Sequence, residues 1–98
     1  MSRSLILRDE ADEDLTAIYE YLLNVSERTL HKFESKLDAL FGRILEMPFM
    51  YAKVWRTVRA VRVRGFQYVV YYVVRSKWVE VIAVVHGARE SSVWKSRA

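Results

Sequence analysis

Apolar and polar positions change rhythm halfway along the chain. In LRDEADEDLTAIYEYLLN, from Leu7 to Asn24, the residues Ala11, Leu15, Ile18 and Leu22 recur at steps of three and four, with Tyr19 and Leu23 beside them. That spacing predicts one helix with a single buried stripe. After a short break at NVS, Ser26 is placed to cap a second helix, in which Leu30, Phe33, Leu37, Leu40, Phe41, Ile44 and Leu45 share a side and which Pro48 stops just beyond Met47. So short a link predicts antiparallel neighbours. Ahead of them, RSLIL is short and apolar enough for one edge strand.

Beyond EMPFMYAKVW the period becomes two. VRAVRVRG alternates apolar and charged, while QYVVYYVVR and WVEVIAVVHG are β-branched and aromatic, which predicts three strands joined by hairpins at Arg64-Gly65-Phe66-Gln67 and Arg75-Ser76-Lys77-Trp78. The expected order is β-α-α-β-β-β. It describes a single α+β domain over residues 1–98, with a helical hairpin packed on one face of a mostly antiparallel four-stranded sheet.

With Gly65-Phe66 and Ser76-Lys77 as two-residue turns, Arg62 faces Val69, Val73 faces Glu80 and Gln67 faces His86. Alternation then turns Val61, Val63, Tyr68, Val70, Tyr72, Val79, Val81, Ala83 and Val85 toward the helices. The opposite side receives Arg62, Arg64, Gln67, Tyr71, Arg75, Trp78, Glu80 and His86, with Val69, Val73, Ile82 and Val84 among them. Such a surface is too apolar for water and too cationic for a core. It should be covered in part by the chain's own tail from residue 88, by a partner protein, or by a polyanion gripped by Arg62 and Arg64 with Tyr71 or Trp78 free to stack.

Charge sharpens this picture. Residues 1–46 carry six basic and ten acidic side chains and residues 47–98 ten basic and two acidic, so a net +4 conceals halves of −4 and +8. The split implies an acidic partner for the second half or two halves that neutralise each other. Asp9, Glu10, Asp12, Glu13 and Asp14 crowd the start of the first helix, where the dipole favours carboxylates, which accounts for them without catalysis. There is no cysteine, and His31 and His86 lie far apart, so neither a disulfide framework nor a metal site is expected. The opening MSRSL runs into charge instead of an apolar leader core, and no stretch approaches the ~20 apolar residues of a membrane helix, which predicts a soluble, cytoplasmic protein. His86 ends an apolar run. A guanidinium beside it would favour the neutral ring, able to act as a base; the plainer reading is a strand-end histidine bonded to backbone.

Two spacings then carry a resemblance. Arg64, Tyr68 and Tyr72 stand four apart, and His86, Arg89 and Trp94 close the chain as His-x-x-Arg followed by Trp, with ESS where many relatives have a proline. Together with the element order, these motifs resemble the RelE/ParE superfamily of bacterial type II toxins over nearly the whole chain. RelE-like members are ribosome-dependent messenger-RNA endonucleases; in that branch the resemblance would make Arg62, Arg64, His86 and Arg89 the catalytic set. That branch often has an arginine where Tyr68 stands and an aromatic hydroxyl near Trp94, and indole cannot transfer a proton. ParE-like members instead trap DNA gyrase on cleaved DNA without a catalytic residue, and the missing nuclease side chains fit this branch. A plain nucleic-acid-binding module is the third class, marked by salt-dependent affinity for free DNA or RNA. Either toxin branch implies a cognate antitoxin whose C-terminal segment wraps the toxin, and no cofactor. Candidate contacts to antitoxin or target are Arg62, Arg64, Tyr71, Arg75, Trp78 and His86 on the cationic side of the sheet and Arg89 and Trp94 after it, with the outer face of the helical hairpin as a further surface for the antitoxin.

Overall fold

The first strand, β1 (Ser4–Leu7), runs through Arg8 into α1 (Asp9–Val25), and a single residue separates this helix from α2 (Glu27–Glu46). The computed structural model describes residues 3–98; Met1 and Ser2, the first part of the MSRSL reading, lie outside the described residues. Ser26 serves both helices. Its N–H donates to the Leu22 carbonyl, closing α1, while its Oγ accepts from the Thr29 N–H at 3.0 Å, opening α2. Asp9, Glu10 and Asp12 occupy the first turn of α1. The predicted stripes are the buried ones: Ala11, Leu15, Ile18 and Leu22 on α1, and Phe33, Leu37, Leu40 and Ile44 on α2.

Four strands and a one-turn helix follow: β2 (Lys53–Trp55), β3 (Val58–Arg62), β4 (Tyr68–Val74), β5 (Trp78–His86) and α3 (Ser92–Lys95). The sheet order is β1-β5-β4-β3-β2, antiparallel except that β1 runs parallel to β5. The α+β architecture is as expected, but the sheet has five strands, not four. β2 escapes a reading by period because three residues hold no period. Its turn, Arg56-Thr57, places Arg56 at φ 51° without the glycine or asparagine that normally announces such a corner.

Arg62 faces Val69 as the hairpin predicts, yet the turn sits one residue earlier. The Phe66 N–H donates to the Val63 carbonyl at 3.0 Å, so Arg64 and Gly65 form the corner, with Gly65 at φ 85° where a side chain is strained. Phe66 folds back into the helix-side core, edge-on to Phe33 at 5.1 Å.

The larger correction lies in β5. Val73 faces Glu80 and Tyr72 faces Val81, but Tyr71 faces Ala83, leaving Ile82 as an extra residue. Past that bulge the alternation reverses. Val84 joins the core under the helices, Ala83 and Val85 turn to the opposite side, and His86 faces Tyr68 instead of Gln67. Expectations for these four residues fail for this one reason.

The sheet therefore carries a core on each face. Under the helices, Val63, Val70, Tyr72, Val79, Val81 and Val84 pack against the two stripes. On the far face, Val58, Val73, Ile82, Ala83 and Val85 pack against Trp94, which is 6 % exposed and stacks on Tyr71 with ring centroids 4.5 Å apart and planes 14° from parallel. Trp55 meets Trp94 edge-on at 6.3 Å. The tail is fixed by polar contacts as well. β1 pairs with β5 only as far as Val81, and beyond it the Val84 N–H donates to Asp14 Oδ2 at 3.1 Å while the Ile82 carbonyl accepts from Arg97 Nη1 at 3.2 Å. Arg97 pairs with Asp14 at 2.7 Å, Arg8 donates to the Arg97 carbonyl, and Glu80 joins Arg8 to Arg75, each at 3.0 Å.

Trp94→Ala should therefore cost about 3–5 kcal/mol, as expected for emptying a buried aromatic site. A denaturant melt showing a loss below about 1 kcal/mol would place the tail outside the core. A second outcome concerns Tyr72, whose buried hydroxyl donates to the Pro48 carbonyl at 2.8 Å and whose pKa burial pushes up to about 12 from 10.0. Because the folded state holds the proton more tightly, this contribution is complete below about pH 10 and is lost as pH rises through the folded value. Tyr72→Phe should lose about 0.5–1.5 kcal/mol at neutral pH and show a shallower alkaline decline than the parent, measured by unfolding midpoints.

Candidate functional site

Of the three covers expected for the far face of the sheet, the one that lies over its apolar centre is the chain's own tail. Trp94 occupies one face of the Tyr71 ring, so both belong to the second core, and burial raises the Tyr71 pKa. Arg75 is paired with Glu80, and Trp78, 37 % exposed, stands at the start of β5. What the tail leaves open is the rim at the β3–β4 turn.

Arg62, the last residue of β3, and Arg64, at the turn corner, are both exposed and line one depression of about 520 Å³ with Gly65, Phe66 and Gln67. Val63 between them is buried under the helices, which is why both guanidinium groups lie outside that layer. Arg62 Nη1 lies 3.5 Å from Gln67 Oε1, a weak contact, and neither arginine pairs with a carboxylate among the described residues. Two uncompensated, planar cations on a hairpin corner suit bidentate contact with carboxylate or phosphate.

The bulge sends His86 elsewhere. It lines a separate cleft of about 180 Å³ with Asp14, Ile18, Tyr21, Tyr68 and Arg89, its ring 6.0 Å from that of Tyr68. His86 Nδ1 accepts the Ala88 N–H at 3.1 Å, which puts the proton of the neutral ring on Nε2 and makes that nitrogen a donor. The Tyr68 pKa is raised, first by burial and then by Tyr21 nearby, so its phenol also stays a donor at neutral pH. Asp14 is held by Arg97 and the Val84 N–H. The cleft is thus rich in donors, and its one carboxylate is already engaged. Behind it the Gly87 N–H donates to the Gln67 carbonyl at 2.7 Å, an approach so close that a side-chain carbon at Gly87 would lie 3.3 Å from that oxygen. Tyr21 and Tyr68 were not among the expected site residues. What brings His86 beside Tyr68 is the register of β5, which the apolar run conceals.

A family model described as the ParE toxin of the type II toxin-antitoxin system parDE matches residues 5–91. No curated protein matches the chain. Among solved structures, one titled as the chromosomal ParDE TA system from P. aeruginosa is similar at 17% sequence identity, with a TM-score of 0.72 over 86% of this chain and 95% of that chain. At that identity the likeness speaks to the fold, which it shares. The family match spans α1, α2, β2 to β5 and all but the first residue of β1, and on that match the chain belongs to the ParE toxin family of type II toxin–antitoxin systems.

Proposed function

We propose that this ParE-type toxin acts by binding DNA gyrase and holding it on cleaved DNA, that it does so in the cytoplasm as one domain, and that a cognate antitoxin neutralises it. The observation that carries the reading is the placement of Trp94. Where a nuclease relative would keep an aromatic hydroxyl, this chain has an indole packed face to face on Tyr71 in the second core. The indole N–H donates hydrogen bonds but is too weakly acidic to be transferred, and the buried ring has little access to a substrate. Arg62 and Arg64, without an ion-pair partner among the described residues, supply the grip on an acidic or phosphate-bearing surface.

Expression without antitoxin should induce DNA-damage signalling and gyrase-linked DNA breaks, with messenger RNA intact. Codon-phased cuts at the ribosomal A site would instead establish the nuclease. His86→Ala should leave toxicity within about threefold, whereas Arg62→Gln with Arg64→Gln should weaken it by about tenfold or more, in line with the loss of one or two charge-assisted contacts. Toxicity abolished by the histidine change alone would reverse the assignment.

A further inference from the structure

We propose that the loop of residues 47–50 is a preorganised docking site for the antitoxin. It would take a segment that lays an aliphatic or aromatic side chain among Met47, Phe49 and Met50 and brings carboxylates to Arg3 and Arg59. The inference rests on the antitoxin half of the proposed function and names the surface that half leaves open.

A loop with this composition would ordinarily turn its apolar side chains inward. Here they point out: Met47 is 55 %, Phe49 59 % and Met50 49 % exposed around a groove of about 440 Å³, while Pro48 between them is buried. The backbone is what holds them so. Tyr72 donates to the Pro48 carbonyl at 2.8 Å from within the core, Arg59 donates to the carbonyls of Phe49 at 3.3 Å and Tyr51 at 2.6 Å, and the Met50 N–H closes on the Met47 carbonyl at 3.1 Å. Four hydrogen bonds fix a conformation whose outer side buries none of its three large side chains, so that side is built for something else to cover. Two flexible thioethers beside an aromatic ring also suit an irregular apolar guest.

Charge selects the guest. The guanidinium carbons of Arg3 and Arg59 lie 5.3 and 5.2 Å from the centroid of the Phe49 ring. Both arginines donate to backbone carbonyls, and neither pairs with a carboxylate among the described residues. Glu46 lines the groove, but the half of the chain that begins at Met47 carries ten basic side chains against two acidic. The complement of an apolar groove flanked by two uncompensated cations is an amphipathic segment with acidic residues.

The test uses the full-length toxin and the antitoxin encoded beside it, titrated with the parent, Phe49→Glu, Met50→Glu and the conservative Phe49→Leu, alongside a gyrase supercoiling assay. Both side chains are half-exposed, so thermal midpoints should hold. The two glutamate variants should bind the antitoxin about 30-fold more weakly or worse while still inhibiting gyrase, and Phe49→Leu should stay within about threefold of the parent, as expected for a partly buried interface anchor. Unchanged affinity in both glutamate variants overturns the inference and leaves the proposed function standing. Lost gyrase inhibition with antitoxin affinity intact also overturns it, by assigning the loop to the target. If the parent toxin forms no complex with that antitoxin, the antitoxin half of the proposed function fails, and this inference with it.

Discussion

The structure turns on one extra residue in one strand. Ile82 interrupts the ladder between β4 and β5 just past the point where β1 stops pairing, so the outer edge of β5 bears backbone groups that no strand takes up. Left in a dry environment, each such group would cost about 1–3 kcal/mol. The chain supplies partners from two distant places: Asp14 of α1 accepts the Val84 N–H, and Arg97, near the end of the tail, donates to the Ile82 carbonyl and to the same carboxylate. A helix, a strand edge and the C-terminal segment are thereby joined at one ion pair, largely shielded from water. Its worth lies in the hydrogen bonds made around it, since a partly buried pair by itself gains little over its desolvation.

That junction explains how so short a chain affords a core on each side of its sheet. Once Arg97 is anchored, Trp94 is carried over the far face, where the residues turned outward by the bulge, Ala83 and Val85, complete its pocket with Val58 and Val73. A regular β5 would have kept those two side chains under the helices and left a shallower floor for the indole. With both broad faces of the sheet occupied from within, the depressions left at its corners are the β3–β4 turn, the cleft beside His86 and the loop after α2. Sites of this kind are narrow, cationic or apolar at their rims, and held by rigid elements behind them, which suits recognition of another macromolecule more than enclosure of a small substrate.

What could be read in the residues follows from where period and chemistry coincide. The helix stripes, the Ser26 cap and the Arg62–Val69 register were legible because apolar and polar positions alternate there, so a slip would expose a core residue. Val81 to Val85 offers no such contrast. Every member is apolar, both sides of β5 are buried, and a one-residue bulge leaves no mark on the composition, which is why Ala83, Val84, Val85 and His86 were assigned to the wrong sides. β2 and α3 were too short to show any periodicity. The placing of Arg62 and Arg64 outside the helix layer was legible because Val63 between them is an unambiguous core residue; the cleft around His86 was not, because it depends on the bulge. In the loop after α2 the signal is one of misfit, not of period: MPFM is apolar but fits neither the helix before it nor a strand after it.

The remaining charge bears on why the chain needs a partner. An acidic first half and a basic second half could in principle neutralise each other, and among the described residues they do so at one ion pair, Arg97 with Asp14, since Arg8 with Glu80 joins a cation of the acidic half to a carboxylate of the basic one. Arg59, Arg62 and Arg64 form no ion pair among those residues. The field of the basic half therefore survives folding and reaches about 8 Å into solvent at physiological salt. A field of that sign speeds encounter with any acidic surface and discriminates poorly among them. Discrimination has to come from shape at contact, and the corners differ in that respect: the β3–β4 turn presents bare guanidinium groups, whereas the loop after α2 sets two of them against a fixed apolar groove. The same long-range attraction can thus serve two partners, with the short-range chemistry at each corner deciding which one stays.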